Sequence, residues 1–305
     1  MKKYFWSLFI LAITVSCGGN DKTNMKGGAG DSAIVVDAEA KVLEIPKVPD
    51  DIKDSVKMAE FLAFHFWDNL NFSDSLKSHD VDFISPNFSK YISILHKIKD
   101  KDVIKQSFLS FQKKVAADPA SFNVVLKMAE DSLYNLDSPM LSEDIYESFL
   151  SSLLDSGFLD NDNRWKYEDQ YKIVSKNKVG DKATDFSFTM PSGKTSSLLQ
   201  ASNGKPTILI FFDPDCDTCE EAIFRLENNP DVTSRIQNGS LSLIAIYSGH
   251  DMEGWKKKVA SLPKNWIVGI NPEIDEKELY FLREMPSIYI LDKSGTITDK
   301  NIRLF

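Results

Sequence analysis

"FFDPDCDTCEEAIF", residues 211–224, holds two of the chain's three cysteines, Cys216 and Cys219, three positions apart. The run before them, "PTILIFF" (206–212), is continuously apolar, as a strand buried on both faces would be. "EEAIFRLENNPDV" (220–232) after them has helical spacing. A C-x-x-C at a strand-to-helix switch can be a working dithiol, half a zinc site or an inert staple. A zinc knuckle needs four ligands, and the chain has no second cysteine pair. A staple across three positions closes a loop too small to restrain the unfolded chain much. A dithiol fits best. A helix N-terminus stabilises an anion, so a cysteine in the first turn reacts as thiolate. The second cysteine, one turn on, faces the same side and can close or resolve a disulfide.

Around the motif, strands and helices alternate. "DFSFTMPSGKTSSL" (185–198) predicts a hairpin about a Pro-Ser-Gly turn. "LSLIAIYS" (241–248) and "WIVGIN" (266–271) predict strands, and "DMEGWKKKVASLP" (251–263) and "EIDEKELYFLREM" (273–285) predict helices. "PSIYILDKSGTIT" (286–298) predicts two closing strands about a Lys-Ser-Gly turn. This order indicates an α/β sheet over 176–305.

Residues 51–175 read as an all-α bundle of five or six short helices. "SPNFSKYISILHKI" (85–98) offers Ser85 as N-cap with Pro86 in the first turn. "DKDVIKQSFLSFQKKV" (100–115), "DPASFNVVLKMAEDSL" (118–133) and "SEDIYESFLSSLLDSG" (142–157) follow, the last capped by Ser142 and stopped by Gly157. No two of His65, His79 and His96 lie four apart, so they read as packed or solvated rather than as ligands. Phe61, Phe64, Phe66 and Trp67 read as core.

The start of the chain reads as a targeting signal: Lys2 and Lys3, then the apolar "YFWSLFILAITVS" (4–16), then Cys17 and a polar run. The apolar stretch is shorter than the roughly 20 residues a membrane span needs. Ser16-Cys17 resembles a bacterial lipoprotein signal with lipid on Cys17, although Thr14 stands where Leu is usual. The other reading is an ordinary secretory signal. Residues 18–50 read as a flexible tether, reaching roughly 30 Å. An exported chain sits where disulfides persist. The net charge of −9 argues against nucleic-acid binding. The densest basic cluster, Lys256-Lys257-Lys258, reads as the solvated face of a helix.

Strand, C-x-x-C and helix, followed by Met285-Pro286 at the start of a strand ending in "LD", resemble the thioredoxin family. "VGDKATDFSF" (179–188) resembles the N-terminal extension of periplasmic TlpA/ResA-type members. "FHFWDNLNF" (64–72), "LDSPMLSEDIYESFL" (136–150) and "RWKYEDQYKIVSKNKVGDKATDF" (164–186) resemble an uncharacterised helical domain that precedes thioredoxin-like domains in Bacteroidetes-type lipoproteins. The resemblance implies an α/β thioredoxin-like C-terminal domain behind an all-α domain. It implies a thiol–disulfide oxidoreductase needing no cofactor or metal, lipid-anchored in the cell envelope and facing the periplasm, with the outer membrane as its site. Protein or small disulfides would be substrates, and a separate electron donor would serve it. Cys216 would attack, Cys219 would resolve, and Met285 with a cis Pro286 would bind substrate backbone.

The chain departs from the family at several positions. "DPD" replaces the Trp before the dithiol, Ala222 stands where a Glu is frequent, and Ile210 where thioredoxin buries an Asp. The family usually adds a last helix after "DKNIRLF". Asp213 stands where a peroxiredoxin needs Thr or Ser. The alternative function is a binding or assembly lipoprotein that uses the helical domain, with the thioredoxin-like part as scaffold.

Overall fold

Aspartate starts most of the helices in the N-terminal half. In the computed structural model, which describes residues 42–302, α1 (Ser55–His65), α2 (Ser75–Ser78), α3 (Val81–Leu95), α4 (Lys101–Val115), α5 (Pro119–Ala129) and α7 (Asn161–Ser175) follow Asp54, Asp74, Asp80, Asp100, Asp118 and Asp160. Each carboxylate accepts a hydrogen bond from a backbone N–H of the first turn, a group the helix cannot satisfy itself. α6 (Glu143–Ser156) begins at Ser142, whose side chain makes no capping bond, and ends at Gly157 with φ 72°. Between α5 and α6 the chain widens into a π-helical turn, Glu130–Tyr134.

These helices enclose one apolar cluster rich in rings, among them Phe66, Trp67, Tyr91, Phe108, Phe111 and Phe149. Two expectations change here. α3 starts at Val81 rather than behind Ser85, because Asp80 caps it first; Pro86 lies inside the helix, at the cost of one backbone bond. Leu43, placed by sequence in the tether, is buried in the helical core, and its N–H donates to Asn87 Oδ1 at 3.1 Å. Residues 1–17 and most of the expected tether, with Cys17, lie outside the described residues.

The second half builds a seven-stranded sheet from β1 (Ser187–Thr189), β2 (Thr195–Ser197), β3 (Thr207–Phe212), β4 (Ser242–Tyr247), β5 (Ile267–Ile270), β6 (Ser287–Leu291) and β7 (Ile297–Lys300), in the order β2-β1-β5-β4-β3-β6-β7. β3, β4 and β5 are parallel, and β6 runs antiparallel to β3. Every residue of β3 and β4 is buried, which explains the apolar runs that follow Thr207 and Ser242. Alternation sends Ile208, Ile210 and Phe212 to one face and Leu209 and Phe211 to the other. The first face is covered by α9 (Asp217–Glu227) and α11 (Met252–Ser261), through residues such as Ile223 and Trp255. α8 (Leu198–Ser202) and Tyr280 pack on the second. α10 (Pro230–Gln237) is separate from α9, because Asn228-Asn229-Pro230 ends one helix and starts the next.

The helix expected over 273–285 is not formed. Only α12 (Glu273–Glu276) is helical, and Glu278 turns the chain at φ 48°. Beyond it the buried Tyr280 donates its hydroxyl to the Thr184 carbonyl oxygen at 2.8 Å.

The described residues fall in one compact unit. The helical and α/β layers meet through ion pairs from α6: Glu147 with Lys178 at 2.9 Å, and Glu143 with Lys300 at 2.5 Å. The sheet is thus a thioredoxin-like α/β layer behind an all-α layer, as the motif order implied.

Candidate active site: a dithiol at a helix N-terminus

β3 delivers the chain to the dithiol and a four-residue turn, Asp213–Cys216, reverses it into α9. Asp213 shapes that turn: its carboxylate accepts from Asp215 N–H at 2.9 Å, and its carbonyl from Cys216 N–H at 3.3 Å. Cys216 is the N-cap of α9, and its sulfur accepts the Cys219 N–H at 3.1 Å. A disulfide joins Cys216 to Cys219, with the Cα atoms 5.2 Å apart.

The two sulfurs sit in different surroundings. Cys216 is partly exposed, whereas Cys219 is fully buried in the cluster that holds Ile210, Phe212 and Ile288. An unpaired thiol in such apolar surroundings keeps its proton. Ile210 is itself buried there, so that position supplies no acid. Tyr247, in the same cluster, is held above its ordinary pKa by burial and, secondarily, by Asp213, Asp251 and Asp215. It stays neutral near pH 7 and is no base for Cys219.

The Met285–Pro286 bond is cis, and its loop abuts the dithiol. Met285 O lies 3.6 Å from Cys216 Sγ and accepts the Thr218 hydroxyl at 2.9 Å. Thr218 Oγ1 is also 3.1 Å from Cys216 Sγ. One hydroxyl therefore touches both the outer sulfur and the loop carbonyl. A hydroxyl carries one proton. With the disulfide closed that proton serves Met285 O; a Cys216 thiolate would compete for it. Sequence reading passed over Thr218, although it lies inside the C-x-x-C.

The acidic neighbourhood is more balanced than its sequence. Glu221 pairs with Arg225 at 2.6 Å, and Glu220 with Lys258 at 3.2 Å. The Lys258 side chain is only 13% exposed, which corrects its reading as part of a solvated face. It was missed because it arrives from another helix, α11. Pro214, Asp215, Glu220, Asp251, Lys257 and Lys258 line an open cavity of about 510 Å³ beside the turn. Among the described residues no cluster of His, Cys, Asp or Glu could hold a metal ion. His79 and His65 instead contact Asp118 and Asp68, at 2.6 and 2.7 Å.

A family described as "Domain of unknown function (DUF5106)" matches residues 19–177, more than half of the chain. The chain belongs to the DUF5106 family. The match covers the whole helical layer and ends where the α/β layer begins. Among solved structures, a thioredoxin-like protein from Bacteroides caccae is similar over both layers. It is 28% identical with a TM-score of 0.73, covering 85% of this chain and 94% of that one. The C-terminal domain of an uncharacterised protein from Bacteroides fragilis is 33% identical with a TM-score of 0.41, covering 42% of this chain and 93% of that one. The thioredoxin domain of a thiol-disulfide oxidoreductase from Bacteroides vulgatus is 19% identical with a TM-score of 0.37, covering 41% of this chain and 89% of that one. No curated protein matches. The first of these structures fixes the fold: this DUF5106 protein carries its helical layer in front of a thioredoxin-like layer.

Proposed function

We propose that the protein is a thiol–disulfide oxidoreductase that reduces disulfides in polypeptides or small molecules through Cys216 and Cys219. The observation that carries this reading is the asymmetry of the dithiol. The outer sulfur caps a helix beside the Met285 carbonyl, and the inner one is sealed in an apolar cluster.

In the reduced protein the Cys216 thiolate attacks one sulfur of the substrate disulfide. That bond breaks, and a substrate thiolate leaves with the electron pair. The Cys219 thiol then gives up its proton and attacks Cys216 Sγ. The mixed disulfide breaks, the second substrate thiolate leaves, and the Cys216–Cys219 disulfide closes. The leaving thiolates and water are the available proton acceptors, since the cluster around Cys219 is apolar. A dithiol donor must return two electrons per cycle. Met285 is the residue whose backbone would pair with an extended substrate.

We place the protein at the cell envelope, held to the outer membrane by lipid on Cys17 and facing the periplasm; the signal-like first 17 residues support this. Among the described residues no helix is long and apolar enough to cross a membrane. Cys17→Ser should then release the protein into the soluble fraction; continued pelleting with membranes would remove the lipid anchor from the account.

The direction of the reaction follows from electrostatics. The helix N-terminus and two donors favour the Cys216 thiolate, while Asp213, Asp215 and Asp217 oppose it through like charge. Strong oxidants of this chemistry over-stabilise their reduced form. Here that stabilisation is partly cancelled, so the potential should lie nearer thioredoxin's, about −270 mV, than about −120 mV. Equilibration with glutathione and reduction of insulin test this. A potential above about −180 mV would turn the assignment to an oxidase or isomerase. One observation favours a second reading, a binding lipoprotein with the α/β layer as scaffold: no acid lies at position 210 to assist Cys219. Absence of insulin turnover with an intact, reducible disulfide would favour it.

A further inference from the structure

One contact between the helical and α/β layers lies on the loop that leads to the dithiol. Residues 277–286 run from α12 to Pro286, and Met285 near their end faces Cys216. Two positions before Met285, Arg283 leaves the α/β layer. Its guanidinium lies 3.7 Å over the Tyr134 ring, donates to the Tyr134 carbonyl oxygen, and pairs with Glu143 at 3.4 Å. The Arg283 and Glu143 side chains are only 11% and 13% exposed.

Both partners are well fixed. Glu143 is the first residue of α6, where the helix dipole favours a carboxylate. It also receives Lys300 at 2.5 Å and Asn301 at 3.1 Å from the end of β7. Tyr134 closes the π-helical turn and stacks on Tyr146, ring centroids 5.1 Å apart. The Tyr146 hydroxyl in turn donates to Gln170 Oε1 at 2.7 Å. Extra residues of this π kind in a helix are frequent at functional sites. A guanidinium this sheltered is costly to strand, so the loop cannot move off without breaking several bonds at once.

We infer that Arg283 is a positioning residue. Through it, Tyr134 and Glu143 of the helical layer hold the loop whose Met285 backbone receives an extended polypeptide beside the dithiol. The inference rests on the reading of the dithiol as a reductase site, and it gives the helical layer a task in that reaction. Arg283 is not among the groups that contact the outer sulfur, which come from Thr218, the Cys219 N–H and Met285 O. Its loss should therefore weaken capture of polypeptide and leave sulfur chemistry alone.

The test uses the full chain and the variants Arg283→Met and Glu143→Gln. Two substrates are compared: insulin, which offers backbone to Met285, and dithiobis-nitrobenzoate, which offers none. For Arg283→Met, kcat/KM on insulin should fall about tenfold, mostly through KM. The small disulfide should change less than twofold, and the glutathione equilibrium constant less than twofold. Equal losses on both substrates, no loss on insulin, or a tenfold shift in the glutathione equilibrium would overturn the inference. Hydrogen exchange supplies a readout independent of turnover. In Glu143→Gln, amides of 277–288 should exchange faster while those of α4 keep their protection. Unchanged exchange in the loop would overturn the inference even if the protein proves to have no reductase activity. Absence of wild-type turnover with the loop loosened as expected would instead remove only the reductase reading.

Discussion

The helical interior holds a connected set of rings; the sheet face beneath the dithiol is mostly branched aliphatic around the Cys219 sulfur, while the opposite sheet face gathers rings of its own, Phe186, Phe211, Tyr280 and Tyr289 among them. Trp67 stacks on Phe111 with centroids 4.7 Å apart, and Phe108 meets Tyr91 and Phe149 edge-on at 5.7 and 5.3 Å. The cluster against the dithiol is instead built from Ile208, Ile210, Leu243, Ile288 and their neighbours, and it ends at Cys219. Between α1, α3 and α4 a few large rings, each burying much apolar area, fill the space. A pleated strand buried on both faces favours β-branched side chains, which pack closely. The ring-rich helical interior carries no thiol, the aliphatic sheet face brings a reactive group to its rim, and Arg283 joins Glu147–Lys178 and Glu143–Lys300 in tying the layers together.

The largest effect is expected at Phe108, which is fully buried among rings. Phe108→Ala should cost about 3–5 kcal/mol, read as a lower urea midpoint with an unchanged m-value. If the layers divide support from chemistry, the glutathione equilibrium of the folded variant should match wild type. A shifted equilibrium would mean that the helical core reaches the sulfurs directly.

A smaller effect is expected at Thr218. Thr218→Val keeps the shape of the side chain and removes the hydroxyl that touches Cys216 Sγ and Met285 O. Alkylation of reduced Cys216 by iodoacetamide at pH 7 should slow several-fold, from the loss of a hydrogen bond to the thiolate. The disulfide should become harder to reduce in parallel. An unchanged alkylation rate would assign the hydroxyl to the loop alone.

The smallest effect lies in the helical layer and depends on pH. The hydrogen bond from His79 holds the Asp118 carboxyl at about 2, with help from the Ser121 backbone and hydroxyl. Its folded pKa is below the ordinary value near 4, so its contribution is complete above about pH 4 and is lost as the pH falls towards 2. Asp118→Asn should therefore be less stable than wild type at neutral pH, and the gap should close between those limits. A gap that stays constant down to pH 2 would show that the carboxylate's charge plays no part.

Much of this was legible in the sequence wherever the deciding contacts are local. The strand, the C-x-x-C and the helix lie within about two dozen residues. The burial of Cys219 follows from its place one turn after Cys216, and the hairpins at 185–198 and 286–298 follow from their Gly-containing turns. Long-range partners were not legible. "EIDEKELYFLREM" has helical composition, but Tyr280 is drawn beneath the sheet and Arg283 to Tyr134 and Glu143, 149 and 140 positions away. Lys258 reaches Glu220 across 38 positions. Ser85-Pro86 looks like a helix start, but the Asp80 carboxylate already caps the helix one turn earlier.

Trapping tests the assignment of Cys216 as the attacking sulfur and Cys219 as the sealed one. Reduced Cys219→Ser and Cys216→Ser variants are each mixed with one equivalent of a peptide disulfide at pH 7, quenched with acid, and the adducts are mapped by mass spectrometry. A persistent mixed disulfide is expected on Cys216 in the first variant and almost none on Cys219 in the second. Equal adducts on both sulfurs, or an adduct on Cys219 alone, would contradict that assignment.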